Sequence, residues 1–142
     1  MKIGDRTIVV EGKLQAVWEK LVDWRTMHEW DVFMERVVFD GPLQMGSKGR
    51  LKMKGGPEVD LIVTSFNPPQ SYTDEFTMMG SRFIFHHVLT ETSENAVSVQ
   101  IAVETDGFVA ALLAPLMRTD FEKKMPILMS NFKQQFESGA TS

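Results

Sequence analysis

The stretch FEKKMPILMSNFKQQF, residues 121–136, decides the fold. Its large apolar residues lie four, three, four and four positions apart: Phe121, Met125, Leu128, Phe132 and Phe136. This spacing predicts a helix with one apolar stripe, and such a stripe must be buried against another element. We predict a long helix over about Phe108–Glu137, which Pro115 and Pro126 should kink or split into pieces.

The chain before this helix predicts mainly β structure. We place strands at Arg6–Glu11, Phe33–Phe39, Arg50–Lys54, Val59–Phe66, Tyr72–Met78, Arg82–Thr90 and Ala96–Thr105. Turn signals such as Gly55-Gly56-Pro57 and Asn67-Pro68-Pro69 separate the later strands. Connections this short suit antiparallel hairpins, because a parallel sheet needs crossover segments of a dozen or more residues.

Two helical segments follow the first strand. Lys13–Asp23 has the apolar spacing of an amphipathic helix, and Asp23–Trp30 predicts a second short helix or a turn. The predicted fold is therefore α+β: a curved antiparallel sheet of about seven strands wraps around the long C-terminal helix, with two short helices after strand 1. We expect one domain over residues 1–137 and a disordered tail over 138–142.

Composition excludes several classes of function. The 142 residues include no Cys, which removes disulfides, thiolate metal sites and Cys nucleophiles. A net charge of −4 has the wrong sign for a nucleic-acid binder. The longest apolar run, Phe108–Met117, is about half of the roughly 20 residues that span a bilayer, so no stable membrane insertion is expected. No signal peptide is recognised, and we predict a cytoplasmic protein without a metal or cofactor.

Four local motifs carry a resemblance to a known family. They are Val17-Trp-Glu-Lys-Leu-Val-Asp-Trp24, the segment Met27–Trp30, Val37-Val-Phe-Asp-Gly-Pro42 and Gly46-Ser-Lys-Gly-Arg50. Together with the order of elements, they make the chain similar to the START-related, polyketide cyclase/dehydrase-like superfamily of helix-grip proteins (SRPBCC). Relatives often have Trp-Pro where this chain has Met27-His28. The resemblance implies an internal cavity between sheet and helix, in proteins that bind or transfer lipids and sterols, bind plant metabolites, cyclise polyketides or assist other proteins.

Strand alternation selects the residues that face the interior. On Arg82–Thr90 it places His87 inward and His86 outward, so this pair cannot readily share a metal ion. The candidate catalytic residues are His87, Asp74 and Tyr72. The candidate ligand-binding residues are Met53, Tyr72, Phe76, Met78, Phe83, Phe85, His87, Val99, Ile101, Leu112, Leu116 and Met125. His87 also has a simpler interpretation, as a hydrogen-bonded structural histidine. The simpler interpretation of Trp18, Trp24 and Trp30 is that they pack in the core.

Three functions remain open. The leading hypothesis is binding of a small hydrophobic molecule (a lipid, a polyketide-like compound or an aromatic metabolite) in the internal cavity, by a monomer or homodimer. The second is a cyclase or dehydratase that uses acid–base residues in the same cavity. The third is a protein-interaction or chaperone-associated module, which an exposed apolar patch larger than roughly 400 Å² would favour. Residues 107–118 are expected to form a mobile lid over the cavity mouth.

Overall fold

A single antiparallel sheet dominates the computed structural model, which describes residues 1–140. Over these residues seven strands lie side by side in the order β1-β7-β6-β5-β4-β3-β2. The elements, in chain order, are β1 (Lys2–Glu11), α1 (Leu14–Val22), a 3₁₀ turn (Met27–Glu29), β2 (Met34–Phe39), β3 (Lys48–Met53), β4 (Glu58–Asn67), β5 (Ser71–Met78), β6 (Ser81–Ser93), β7 (Ala96–Asp106) and α2 (Phe108–Ala140). The α+β helix-grip prediction is confirmed, except that the second short helix after strand 1 is a single 3₁₀ turn.

Alternating burial gives the sheet an inner and an outer face. On β7 the inner set, Val97, Val99, Ile101 and Val103, is buried, while the residues between them are more exposed. The same alternation runs through β5 and the first half of β6. The curled sheet therefore presents one apolar surface, and α2 packs on that side.

α2 lies against β1 because Gly4, within the strand, and Gly12, directly after it, carry no side chain. A Cβ atom on Gly4 would lie 2.8 Å from the Phe121 ring, and one on Gly12 would lie 2.5 Å from the Phe136 ring. Both rings belong to the predicted apolar stripe, so any side chain at either glycine would push the helix away from the sheet.

The other side of α2 contacts the 3₁₀ turn that precedes β2. The Trp30 and Phe132 rings meet edge to face with their centroids 5.0 Å apart. The Gln135 side-chain amide donates a hydrogen bond of 2.8 Å to the Glu29 carbonyl. Since β1 and β2 are the two edges of the sheet, α2 reaches from one edge to the turn that precedes the other.

Of the two effects predicted for the prolines, a kink or a split of α2, the split does not occur. The helix runs without interruption from Phe108 to Ala140, with Pro115 and Pro126 inside it. Proline removes one backbone hydrogen bond, but the stripe on both sides of Pro126 is held by packing, and tertiary contacts override a local preference of this size. Residues 138–140 continue the helix rather than forming part of a disordered tail. Residues 141 and 142, the rest of that predicted tail, lie outside the described residues.

Ser81, at the start of β6, fixes the beginning of α2. Its buried hydroxyl oxygen accepts a hydrogen bond of 3.0 Å from the Ala110 backbone N–H, one of the first helical N–H groups, which have no partner within the helix. The β5–β6 turn and the first turn of α2 are therefore neighbours. Among residues 1–140 no helix is long and apolar enough to span a membrane.

Candidate functional site

Three polar residues lie together on the inner face of β5 and β6. Tyr72 is paired directly across the strands with His87, and Asp74 is paired with Phe85 at the next inner position. The Tyr72 and His87 rings stack with centroids 4.0 Å apart and planes 6° from parallel. All three side chains are buried, so the structure brings together the three residues that the sequence proposed as catalytic candidates.

The hydrogen bond of His87 determines which ring nitrogen carries the proton. Nδ1 lies 3.2 Å from the backbone carbonyl oxygen of Tyr72. Because a carbonyl oxygen only accepts, Nδ1 must donate, and the Nε2 of the neutral ring keeps its lone pair. Burial lowers the pKa of His87 to about 4, although the hydrogen bond to the Tyr72 carbonyl acts in the opposite direction. At neutral pH His87 is therefore an uncharged imidazole whose Nε2 can accept a hydrogen bond.

Asp74 has the opposite protonation behaviour. Burial raises the pKa of its carboxyl group to about 8, and the nearby charge of Asp31 adds to this rise. A hydrogen bond from its own backbone N–H acts in the lowering direction. Asp74 is thus largely protonated at neutral pH and can donate a hydrogen bond. Burial also raises the pKa of Tyr72 well above its usual value, so its phenol stays neutral.

Asp31 completes this polar cluster and was not identified from the sequence. It follows the 3₁₀ turn, and its Oδ1 accepts a 2.9 Å hydrogen bond from the Phe33 backbone N–H. Burial raises the pKa of Asp31 to about 6, while that hydrogen bond and the positive charge of Lys54 act to lower it. A signal was present in the sequence: Asp31 is the single charged residue in the apolar run Trp30-Asp31-Val32-Phe33.

The tryptophans mainly pack, as the simpler interpretation proposed. The Trp18 ring lies 5.5 Å from that of Phe66 and 6.0 Å from that of Tyr72. Trp24 Nε1 donates a 2.8 Å hydrogen bond to the Gly41 carbonyl. Trp30 is different, because its buried Nε1 has no hydrogen-bond partner within the described part of the chain. An N–H group in that state is available to an acceptor that the protein itself does not supply.

Most of the predicted ligand-binding residues face the interior. The buried ones are Tyr72, Phe76, Phe83, His87, Val99, Ile101 and Met125, and the partly buried ones packed against the same core are Met53, Met78 and Phe85. Leu112 and Leu116 are placed differently, because both are exposed on the outer side of α2. Ala110 and Ala114 take the inward positions of that segment, so the two leucines do not line the interior.

Two pockets open on the surface, away from Asp74 and His87. One of about 380 Å³ lies between the start of β1 and Phe121 of α2. The other, of about 440 Å³, lies over β3, β4 and β5 and includes Phe76 among its lining residues.

Residues 1–140 contain no group of three or more His, Cys, Asp or Glu side chains that could hold a metal ion. His86 lies on the outer face, with Nδ1 3.1 Å from Thr73 Oγ1 and Nε2 against Glu104, so the histidine pair is divided between the two faces as predicted.

Comparisons with solved structures show the same fold at low sequence identity. Norcoclaurine synthase from Thalictrum flavum, in complex with dopamine and hydroxybenzaldehyde, superposes with a TM-score of 0.70 at 9% identity, covering 95% of this chain and 86% of that chain. A hypothetical protein, jhp0584, from Helicobacter pylori gives a TM-score of 0.76 at 12% identity, with 92% and 85% covered. DynU16, a putative protein in the dynemicin biosynthetic locus, gives 0.69 at 18% identity. That match covers 95% of this chain, which spans only 47% of DynU16.

The family comparison is more specific than these structural matches. Comparison with curated proteins finds no match. Residues 1–137, nearly the whole chain, match the family model described as polyketide cyclase/dehydrase and lipid transport. The match covers the helix-grip architecture from β1 to nearly the end of α2. The chain therefore belongs to the polyketide cyclase/dehydrase and lipid transport family.

Proposed function

We propose that this protein binds a small hydrophobic molecule in the interior between the sheet and α2. The molecule is a lipid, a polyketide-like compound or an aromatic metabolite. The observation that carries the proposal is the buried polar cluster of Tyr72, Asp74 and His87 on an inner face whose other buried residues are mainly apolar. A buried polar group is costly without a partner, and a core that served stability alone would place apolar side chains there. Family membership supports an apolar ligand.

The cluster also suggests the polar groups of the ligand. Protonated Asp74 offers a hydrogen-bond donor, and His87 Nε2 offers an acceptor. A ligand with a carbonyl oxygen close to a hydroxyl group satisfies both, while its apolar body packs against side chains such as Phe76, Phe83 and Met125. Apolar walls with a few placed polar groups are typical of small-molecule sites.

The first test is native mass spectrometry of the purified protein, which we expect to reveal a co-purified small molecule. The second is a titration with the fluorescent probe 1-anilinonaphthalene-8-sulfonate. His87→Ala should weaken probe binding about fivefold through loss of one hydrogen bond and the stacked ring. His86→Ala, the adjacent residue on the outer face, is the matched control and should bind as the unmodified protein does. If no molecule co-purifies and no probe binds in the interior, the proposal is wrong.

A second candidate function is acid–base catalysis on a bound carbonyl compound. It is favoured by one observation: burial moves the pKa of Asp74 up to about 8 and that of His87 down to about 4, so both are neutral at pH 7. Asp74 can then give its proton to a carbonyl oxygen while His87 Nε2 takes a proton from the neighbouring carbon. The products of that step are an enol, a carboxylate and an imidazolium, and the reverse transfers restore both residues.

Hydrogen–deuterium exchange tests this chemistry directly. A β-keto thioester such as acetoacetyl-N-acetylcysteamine, incubated in D₂O, should exchange its α-protons faster with the protein than without it. Asp74→Asn and His87→Gln should each lower the catalysed exchange at least about 100-fold, and His86→Gln should not. Exchange that is unaffected by both inner-face variants would remove these residues from any catalytic role.

A further inference from the structure

The first three turns of α2 reverse the usual arrangement of a surface helix. The inward positions hold Ala110 and Ala114, which are 0% and 2% exposed. The large apolar residues point outward: Phe108 is 77% exposed, Leu112 66%, Leu113 38% and Leu116 69%. A surface helix normally buries its large apolar side chains and exposes polar ones. We call these four outward residues the α2 ridge.

The ridge lies at the end of the sheet formed by the β5–β6 turn and the last residues of β7. Ser81 places it there, because its hydroxyl oxygen accepts the Ala110 N–H. Met79, two residues before Ser81, is 66% exposed in the same turn. The ridge therefore lies at the end of the sheet where α2 begins, and Met79 is a further exposed apolar residue at that end.

The size and shape of the ridge limit what can cover it. At about 200 Å² for a fully exposed large residue, the exposed area of the four ridge residues is roughly 500 Å². That is in the upper part of the range for the largest apolar patch on a typical monomer, and such patches are often functional. A stable complex buries about 800 Å² on each partner. A protein partner would have to cover the ridge and surround it with a polar rim, because only a little over half of such an interface is apolar.

The chemistry of the ridge differs from that of a protein interface. Residues 107–117 contain no charged or hydrogen-bonding side chain. Protein interfaces have polar rims and draw most of their binding energy from Trp, Tyr and Arg, with leucine under-represented. A lipid surface has no such requirement, because acyl chains surround a protruding apolar ridge on every side and binding strength follows the buried apolar area.

We propose that the α2 ridge docks the protein on a lipid surface, with Phe108, Leu112 and Leu116 inserted at the boundary between headgroups and acyl chains. The choice of lipid over another partner rests in part on the proposed function, because an apolar ligand is held in membranes rather than free in water. The docked protein lies on the membrane without crossing it, since no helix of residues 1–140 can span one.

The test is co-sedimentation of the full chain with phosphatidylcholine vesicles. We expect the unmodified protein to bind, and the double variant Leu112→Gln, Leu116→Gln to bind at least about tenfold more weakly, because it loses the two leucines that protrude most. Ile127→Gln is the matched control: Ile127 is 50% exposed on the same helix but lies outside the ridge, and its variant should bind as the unmodified protein does. Both exposed substitutions leave the interior unchanged.

Three results would overturn the proposal. The first is the absence of vesicle binding, and the second is equal binding by the double variant. The third is dimerisation of the unmodified protein in sedimentation velocity that the double variant abolishes, which would assign the ridge to a second copy. Probe binding in the interior, measured on the same samples without vesicles, separates this proposal from the proposed function. Vesicle binding without probe binding refutes only the proposed function. Probe binding without vesicle binding refutes only the docking of the α2 ridge on lipid.

Discussion

Replacing Asp74 by Asn should change how stability depends on pH. In the folded protein burial raises the pKa of Asp74 from 3.8 to about 8. The unfolded chain ionises near the lower value, so folding requires this carboxyl group to stay protonated, and Asp74 weakens the fold progressively as the pH rises from about 4 to about 8. Each pKa unit corresponds to about 1.4 kcal/mol. Over the three units from pH 5 to pH 8, Asp74 should therefore remove about 4 kcal/mol of stability.

The assay is urea unfolding followed by circular dichroism at pH 5 and pH 8. The free energy of unfolding of the unmodified protein should fall by about 4 kcal/mol more than that of Asp74→Asn over this interval. Titrating groups that do not interact with Asp74 affect both proteins alike, so the difference reports on Asp74 together with its interaction with Asp31. Asp60→Asn, at an exposed position of β4, is the control and should follow the unmodified protein. If Asp74→Asn also follows it to within about 1 kcal/mol, Asp74 is not buried as a neutral acid and the proposed hydrogen-bond donor is absent.

Three further variants test other parts of the fold. Gly12→Ala should destabilise the protein by about 2 kcal/mol or more, because the added Cβ atom would lie 2.5 Å from the Phe136 ring; thermal unfolding measures this. Ser81→Ala should lower the free energy of unfolding by about 1–2 kcal/mol, because the Ala110 N–H loses its acceptor, and amide hydrogen exchange at the start of α2 should become faster. His87→Gln should be relatively more stable at low pH: burial lowers the pKa of His87 from 6.5 to about 4, so the unmodified protein loses about 3 kcal/mol as the pH falls through that interval.

Each of these variants has a result that would contradict its reasoning. An unchanged melting temperature for Gly12→Ala would mean that the helix and β1 are not in close contact. If the amides at the start of α2 exchange as slowly in Ser81→Ala as in the unmodified protein, Ser81 does not fix the beginning of this helix. Parallel pH profiles for His87→Gln and the unmodified protein would show that His87 is accessible to water.

The sequence was sufficient for the architecture because the relevant signals are periodic and local. Alternation along Ala96–Thr105 predicted the inner face of β7, and the spacing from Phe121 to Phe136 predicted the stripe that packs on the sheet. It also separated His87 from His86, since adjacent strand residues point to opposite faces. These features depend on residues close together in the chain, so one sequence is enough to read them.

Other features depend on tertiary contacts that a single sequence does not contain. Leu112 and Leu116 have the apolar character of interior residues, but Ala110 and Ala114 occupy the buried side of α2. Asp31 is distant from Asp74 in sequence and joins its cluster only when the 3₁₀ turn is brought to the sheet. The prolines of α2 oppose helix locally, and packing on both sides of Pro126 outweighs that preference.

The pairing of β1 has a consequence for the order of folding. β1 is an edge strand whose partner is β7, with Ile8 opposite Val99 and Val10 opposite Val97. β1 is therefore synthesised before α1, the 3₁₀ turn and five other strands, and its partner β7 appears only after them; α2, which covers β1, is made later still. Pairings so distant in sequence slow folding. We expect chains that end before β7 to leave β1 unpaired, and co-translational folding to begin instead with the hairpins of β3 to β6.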